Sequence, residues 1–186
     1  MRIETSLSSA LLTASLAAGA AAQIPGPSDQ SIVTAEASPR VAPADTATAR
    51  STEFLLDALR TSLAEARMGK LAAQQSYAQR VRDYGVKLES DHSAHAGEIE
   101  RLLERLNVTV PTEPSGEALS QIAALTRLSG EEFDAAFVQA AIWMHNDAIE
   151  QYGAQTHANP DRSLHDFVTR SLPMLREHLA QAEALR

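Results

Sequence analysis

Apolar residues recur at intervals of three and four along four long stretches of the chain, which begin near Ser51, Tyr77, Ser129 and Ser163. That interval places the apolar side chains on one face of an α-helix. Since each helix hides only one face, four such helices are expected to pack against one another as a bundle. No alternating pattern typical of a β-strand competes with this interpretation. The sequence therefore predicts an all-α fold.

The connections between the predicted helices define their arrangement. Short turns join the first helix to the second and the third to the fourth, so each pair is expected to form an antiparallel hairpin. A longer connection, Asn107–Gly116, contains Pro111 and Pro114, and a short helix follows over about Glu117–Leu128. Pro173 lies inside the last predicted helix, where it is expected to kink the helix without ending it. The prediction is an antiparallel four-helix bundle with a short extra helix in the crossover.

The first 50 residues lack this periodicity and divide into two segments. Residues 1–22 carry Arg2 and then an alanine-rich apolar run, which is typical of a secretory signal peptide and shorter than a membrane span of about 20 apolar residues. Residues 23–50 contain four prolines among Ser, Ala, Thr and Asp, a composition that predicts a disordered linker. The bundle is predicted over residues 51–186, and the mature chain is expected to contain no transmembrane segment.

Composition narrows the chemistry that the bundle can support. Hydrophobic residues make up 44% of the chain but aromatic residues only 4%, so Ala and Leu supply most of the core, as in closely packed helices. The formal net charge is -8 and no basic block is present, which argues against nucleic acid as a partner. The chain has no Cys, so any metal must be bound by His, Asp and Glu.

One ionisable residue lies on the apolar face of each of the four predicted helices, and these residues are Glu65, His92, His145 and His178. Such residues persist in an apolar interior mainly when they are paired, hydrogen-bonded or bound to a metal. Three neutral imidazoles and a carboxylate form a ligand set for zinc, copper or iron. Asp91, beside His92, is expected to orient a ligand or to act as a further one. The sequence therefore predicts a divalent metal site in the core.

Each candidate ligand also has a purely structural interpretation. Glu65 can pair with a neighbouring helix from a half-buried position, and His145 and His178 can each be a hydrogen-bonded core histidine. His95 lies one turn after the candidate ligand of the second helix, where it can line the edge of the bundle. The two histidines that flank the loop before the last helix are expected to face solvent.

A di-iron ferroxidase centre is not expected. Such a centre needs Glu-x-x-His on two helices and a further Glu on each of the other two. Glu89 and His92 have that spacing, but Glu177 and His178 are adjacent, so their side chains diverge by about 100° around the helix.

Several segments between Ser51 and Arg186 match the pattern of a known group. They are Leu63-Ala64-Glu65 with Gly69-Lys70-Leu71-Ala72, Asp91-His92, Leu128-Ser129-Gly130-Glu131-Glu132-Phe133-Asp134, Met144-His145 and Leu172-Pro173-Met174-Leu175-Arg176-Glu177-His178-Leu179. In these segments the chain resembles the bacterial family called domain of unknown function 4142, whose members are exported ferritin-like proteins. The resemblance implies a ferritin-like antiparallel four-helix bundle and explains the proline of the last helix as a family feature.

The resemblance also implies that the family's recurring polar positions fall on Glu65, Asp91, His92, His145 and His178. Four of these five, all except Asp91, are the residues that the apolar faces also select. The family has no settled activity, and a fold alone supplies none.

Two classes of function follow from these patterns. The first hypothesis is an exported periplasmic bundle that binds a divalent metal and acts in metal handling or envelope stress protection. The alternative is a metal-free structural or interaction protein of the envelope with a buried polar network. An oxidoreductase would need an open coordination position and a redox-active metal, and whether the protein is an enzyme is left open. An envelope protein partner, a homo-oligomer and association with the outer membrane are compatible with both hypotheses.

Overall fold

The computed structural model describes residues 43–158 and 161–186, which contain α-helices and no strand. The helices are α1 (Pro43–Gln75), α2 (Gln79–Glu104), α3 (Gly116–Leu125), α4 (Gly130–Ala158) and α5 (Arg162–Glu183). Among the described residues, no helix combines the length and the apolarity that a membrane span requires. The predicted all-α class is confirmed, with α1, α2, α4 and α5 as the four long helices.

Hydrogen bonds at one end of the bundle define the direction of each helix. Asp134, near the start of α4, accepts from Ser76 Oγ at 2.6 Å and from the Ala78 N–H at 2.9 Å, in the turn between α1 and α2. Arg80, near the start of α2, donates to the carbonyl of Ala184 at the end of α5. Helices α1 and α5 therefore end where α2 and α4 begin. This is the predicted ferritin-like antiparallel four-helix bundle.

The crossover between the hairpins runs along the bundle and carries α3. Helix α2 has 26 residues, so its two ends lie about 39 Å apart and the chain must return over that length before α4 begins. Arg67 of α1 forms a salt bridge with Glu113 of the crossover at 2.5 Å, and Gln75 donates to the carbonyl of Leu128. Ser115 caps α3 by accepting from the N–H of an alanine in its first turn. The predicted extra helix is thereby held against α1.

Helix α1 begins at Pro43, so the last part of the predicted linker, residues 43–50, is helical. Proline suits the first turn of a helix because that turn has no partner for its N–H. Residues 46–50 are largely exposed, so this end of α1 has no buried face that an apolar period could mark. The predicted signal peptide, residues 1–22, and residues 23–42 of the predicted linker lie outside the described residues.

Helices α1 and α2 touch through their backbones at two glycines. A Cβ atom on Gly69 would lie 2.6 Å from the carbonyl oxygen of Gly85, and one on Gly85 would lie 2.6 Å from that of Gly69. Any side chain at either position would therefore push the two helices apart. Since Gly69 lies one turn after Glu65 and Gly85 lies two turns before His92, the same contact sets the helix separation beside the candidate site.

The buried apolar residues form two clusters. One contains Leu59, Ile99 and Leu175, and the other contains Met68 and Leu88. Along each long helix, the predicted ionisable residue falls between a member of the first cluster and a member of the second. The four helices therefore bring these residues to a common level, which forms a polar layer between two apolar ones.

Candidate metal centre

Three histidines from three helices meet in the polar layer. They are His92 of α2, His145 of α4 and His178 of α5, and each is 0% exposed. Nε2 of His92, Nε2 of His145 and Nδ1 of His178 lie 3.3 Å from one another. We call these three residues the histidine triangle. One nitrogen of each ring points toward a common centre.

The other ring nitrogens of two of these histidines are held by acceptors. Nδ1 of His145 lies 2.8 Å from the carbonyl oxygen of Ala141, and Nε2 of His178 lies 2.9 Å from Oδ2 of Asp91. A carbonyl oxygen and a carboxylate accept and do not donate, so both outer nitrogens must carry the proton. A neutral imidazole has only one N–H. His145 and His178 therefore present lone pairs to the centre.

Glu65 lies on the outer side of two of the rings. Its Oε2 is 3.1 Å from Nδ1 of His92 and its Oε1 is 3.3 Å from Nδ1 of His145. Both contacts are close enough for ion pairs, but neither is aligned as a hydrogen bond. Oε1 of Glu65 and Nδ1 of His92 are buried without a hydrogen-bond partner. The carboxylate therefore faces the nitrogens that point away from the centre. Nε2 of His92 carries a lone pair in the tautomer that is protonated at Nδ1, on the side of Glu65.

Burial sets the charge of the residues around the centre. It lowers the pKa of His92 well below its usual value, and it lowers the pKa of His178 although the hydrogen bond to Asp91 opposes the change. Burial raises the pKa of Glu65. It acts in the same direction on Asp91, but hydrogen bonds from Lys87 and His178 outweigh it and the pKa of Asp91 is lowered. At neutral pH the rings of His92 and His178 are neutral and Asp91 is ionised.

The histidine triangle has the dimensions of a metal site. A point equidistant from three nitrogens 3.3 Å apart lies about 1.9 Å from each in their plane, and a small displacement from the plane gives the usual zinc–nitrogen distance of about 2.0–2.1 Å. Within the described residues, this is the group of His, Asp and Glu side chains that lie close enough to hold an ion. The donor set therefore fits a metal bound by three imidazoles.

All five predicted site residues lie together in the polar layer, but in two different positions. His92, His145 and His178 surround the centre. Glu65 and Asp91 contact the outer nitrogens of those rings. The helical period indicates which residues face inward, but the ring nitrogen that a carboxylate meets depends on side-chain rotation about χ1 and χ2, which the period does not describe.

A second polar cluster lies beside the triangle. His95 is 6% exposed and so is not at the edge of the bundle. Its Nδ1 lies 2.9 Å from Ser62 Oγ and its Nε2 lies 3.0 Å from Ser171 Oγ, with the Tyr152 hydroxyl at 3.4 Å. Its ring stacks on that of Phe167, with a centroid separation of 5.1 Å. We call His95, Ser62, Ser171 and Tyr152 the His95 cluster. Both ring nitrogens of His95 are engaged by protein atoms.

Comparisons with known proteins place the chain in a family. The family model described as a domain of unknown function (DUF4142) matches residues 36–185. A solved structure, the crystal structure of a DUF305 fragment from Deinococcus radiodurans, is similar with a TM-score of 0.65 at 15% sequence identity, covering 73% of this chain and 94% of that chain. This likeness supports the helical fold and no activity. No curated protein matches the chain. The chain belongs to the DUF4142 family.

Proposed function

We propose that this protein binds one divalent metal ion at the histidine triangle and acts in metal handling or envelope stress protection in the periplasm. His92, His145 and His178 are the ligands, and Glu65 and Asp91 orient them from outside. The observation that carries the proposal is the convergence of three buried ring nitrogens, 3.3 Å apart, two of which present lone pairs because acceptors hold the outer nitrogens of His145 and His178. The location in the periplasm rests on the pattern of residues 1–22 alone.

Electrostatics favours a cation at this centre. A buried acceptor without a donor costs about 1–3 kcal/mol, and here neighbouring acceptors face one another in an apolar interior. A metal ion accepts all three lone pairs at once. The protein partners of the outer nitrogens then act as they do around bound metals elsewhere, where a carboxylate or carbonyl fixes the tautomer and raises the basicity of each ring.

The surrounding charges match a divalent ion. The three rings contribute no charge when they bind a metal, whereas Glu65 and Asp91 carry one negative charge each when ionised. Asp91 is already ionised because hydrogen bonds hold its pKa low despite burial. A bound cation favours the ionised form of Glu65 in the same way. Together the two carboxylates carry a charge equal and opposite to that of one divalent ion, with the ammonium of Lys87 on the exposed side of Asp91.

The ligand set and the space around it favour holding a metal over acting on a large substrate. Three imidazoles without a thiolate suit zinc, copper or iron. The cavity lined by Glu65 and His95 has a volume of only about 10 Å³, which is room for about one water molecule. An organic substrate would not reach the ion through this cavity.

Elemental analysis tests the proposal directly. The full chain, purified from its native compartment without an affinity tag, is expected to contain about one divalent ion per chain. His145→Ala and His178→Ala should each remove it, whereas the control His165→Ala, at an exposed position of α5, should retain it. Stoichiometric metal in both triangle variants would contradict the proposal.

A second candidate function is a metal-free bundle whose buried polar residues hold the helices together. The His95 cluster favours it, because His95 is satisfied by two serines without an ion. Under this hypothesis the purified chain contains no metal, and His145→Ala changes stability alone. The same elemental analysis therefore separates the two functions.

A further inference from the structure

Among the residues that the structure describes, two openings toward the polar layer differ greatly in size. Between α1 and α4, the exposed residues Asp147 and Gln151 lead to the cavity of about 10 Å³ that reaches Glu65. Between α2 and α5, a groove of about 350 Å³ is lined by residues that include Asp91 and Glu177. The narrow cavity has room for about one water molecule, whereas the groove is large enough for an ion with part of its hydration shell.

Asp91 connects this groove to the histidine triangle. Its side chain is 31% exposed, whereas that of His178 is 0% exposed. A single atom, Oδ2 of Asp91, lies 2.9 Å from Nε2 of His178 and 2.9 Å from Nζ of Lys87. The carboxylate is therefore reached from solvent on one side and holds a ligand of the triangle on the other.

The ammonium group of Lys87 occupies the position that an incoming cation would take. It contacts Asp91 at 2.9 Å and Glu177 at 3.4 Å. A divalent ion is attracted to the same two carboxylates, and it cannot bind Oδ2 of Asp91 until Lys87 withdraws. Since Lys87 has two carboxylate partners, it can leave Asp91 and stay paired with Glu177. The ammonium group of Lys87 thus blocks access to Asp91, but it can move aside without losing both of its carboxylate partners.

We propose that the metal ion reaches the histidine triangle through the groove between α2 and α5, and that Lys87 is the gate that must leave Asp91 for the ion to pass. This inference rests on the proposed function, because it concerns the loading of the same centre. Asp91 receives the ion as Lys87 withdraws, and His178 then accepts it by rotation of the ring that Asp91 holds. Lys87 controls the rates of exchange, whereas the three imidazoles and the carboxylates that orient them control affinity.

Zinc exchange kinetics test the gate. Wild-type binding of zinc is first measured at equilibrium on the full chain, and uptake and release are then followed by rapid mixing with a chromophoric chelator. Lys87→Met keeps the length of the side chain but removes its charge. It should accelerate both uptake and release by about tenfold while the Kd changes by less than about threefold. The control is Lys70→Met, at the only other lysine of the chain, which is exposed on α1.

Two bulky substitutions compare the two openings. Ala94→Trp, at an exposed position of the groove, should slow uptake and release together. Gln151→Trp, at the mouth of the narrow cavity, should change neither rate.

The outcomes separate the gate from the function. No zinc binding by the wild type would overturn the proposed function itself. Stoichiometric binding with wild-type rates in Lys87→Met would overturn the gate and leave the function standing. A change of Kd as large as the change of the uptake rate would overturn the gate too, since Lys87 would then act on affinity. Slower exchange in Gln151→Trp but not in Ala94→Trp would place the route between α1 and α4.

Discussion

His92 and His95 lie one turn apart on α2 and are both buried, with 0% and 6% exposure, yet they differ in every polar contact. Both nitrogens of His95 meet serine hydroxyls, from Ser62 and Ser171. His92 has an Nδ1 without a hydrogen-bond partner and an Nε2 that faces two other imidazoles. A buried histidine is therefore a candidate ligand when its ring nitrogens lack hydrogen-bond partners. Burial and position on the helix do not by themselves make it a candidate.

The hydrogen-bond directions explain why His95 has no lone pair to offer. Ser171 donates its own proton to the carbonyl of Phe167 at 2.9 Å, so its oxygen accepts from Nε2 of His95. Nδ1 of the neutral ring then accepts from the Ser62 hydroxyl. His95 is thus complete as a neutral imidazole, whereas the inner nitrogens of the triangle meet only one another.

The largest effect is expected when the same substitution, histidine to glutamine, is made in the histidine triangle and in the His95 cluster. His92→Gln removes one of the three proposed ligands and should weaken zinc binding by more than about 100-fold, beyond the range for loss of a residue that only orients a ligand. His95→Gln should leave the Kd within about threefold, because both nitrogens of its ring already meet serine hydroxyls. Competition with a chelator of known affinity measures both, and circular dichroism verifies the fold. Equal losses in the two variants would show that the clusters act as one site.

The next largest effect is expected on the stability of the metal-free protein at acidic pH. Burial lowers the pKa of His95 to about 4, compared with about 6.5 for an unfolded histidine. The unfolded chain therefore takes up the proton first as pH falls. The contribution of His95 to the free energy of unfolding is thus present in full above about pH 6.5 and is lost as the pH falls to about 4. The contribution of His95 is about 3 kcal/mol. Urea unfolding across this range should show that the free energy of unfolding declines less in His95→Gln than in wild type. The other titrating groups are the same in both proteins, so the difference between the two curves is due to His95. Parallel curves would contradict the pKa shift.

Most of the fold could be predicted because it follows from local patterns. The apolar period identified the long helices, and two prolines marked the crossover. The start of α1 at Pro43 could not be predicted, since residues 46–50 are largely exposed and show no apolar face. The close approach of Gly69 and Gly85 also lacks a local pattern, because it depends on the relative height of two helices.

Less of the candidate site could be predicted. Helical phase placed Glu65 and three histidines in the core, since one residue every three to four positions faces inward. It did not indicate that Ser171 of α5 is a partner of His95 on α2, because that pairing joins residues far apart in the sequence. For the same reason, phase did not indicate that Glu65 meets the outer nitrogens of His92 and His145.

The outer carboxylates should have a smaller effect than the ligands themselves. Glu65→Gln and Asp91→Asn each keep the size of the side chain but remove the charge that orients a ring. Each is expected to weaken zinc binding by about 10–100-fold, measured by the same chelator competition. Asp83→Asn is the control, because this exposed carboxylate of α2 pairs only with Gln79 in the helix. Affinity at the wild-type level in both outer variants would mean that the rings keep their orientation without them.

The smallest effect is expected from a substitution in the His95 cluster. Ser62→Ala removes the donor to Nδ1 of His95 and leaves that nitrogen as a buried acceptor without a partner, which should cost about 1–3 kcal/mol of unfolding free energy. Urea unfolding of the metal-free protein measures this cost. Ser120→Ala is the matched control, since this exposed hydroxyl donates only to a carbonyl of its own helix. Because His95 offers the ion no lone pair, Ser62→Ala should leave zinc affinity unchanged. A cost equal to that of Ser120→Ala would mean that the Ser62 hydroxyl does not stabilise the ring of His95. A marked loss of zinc affinity would mean that the two histidines of α2 are not separate in function.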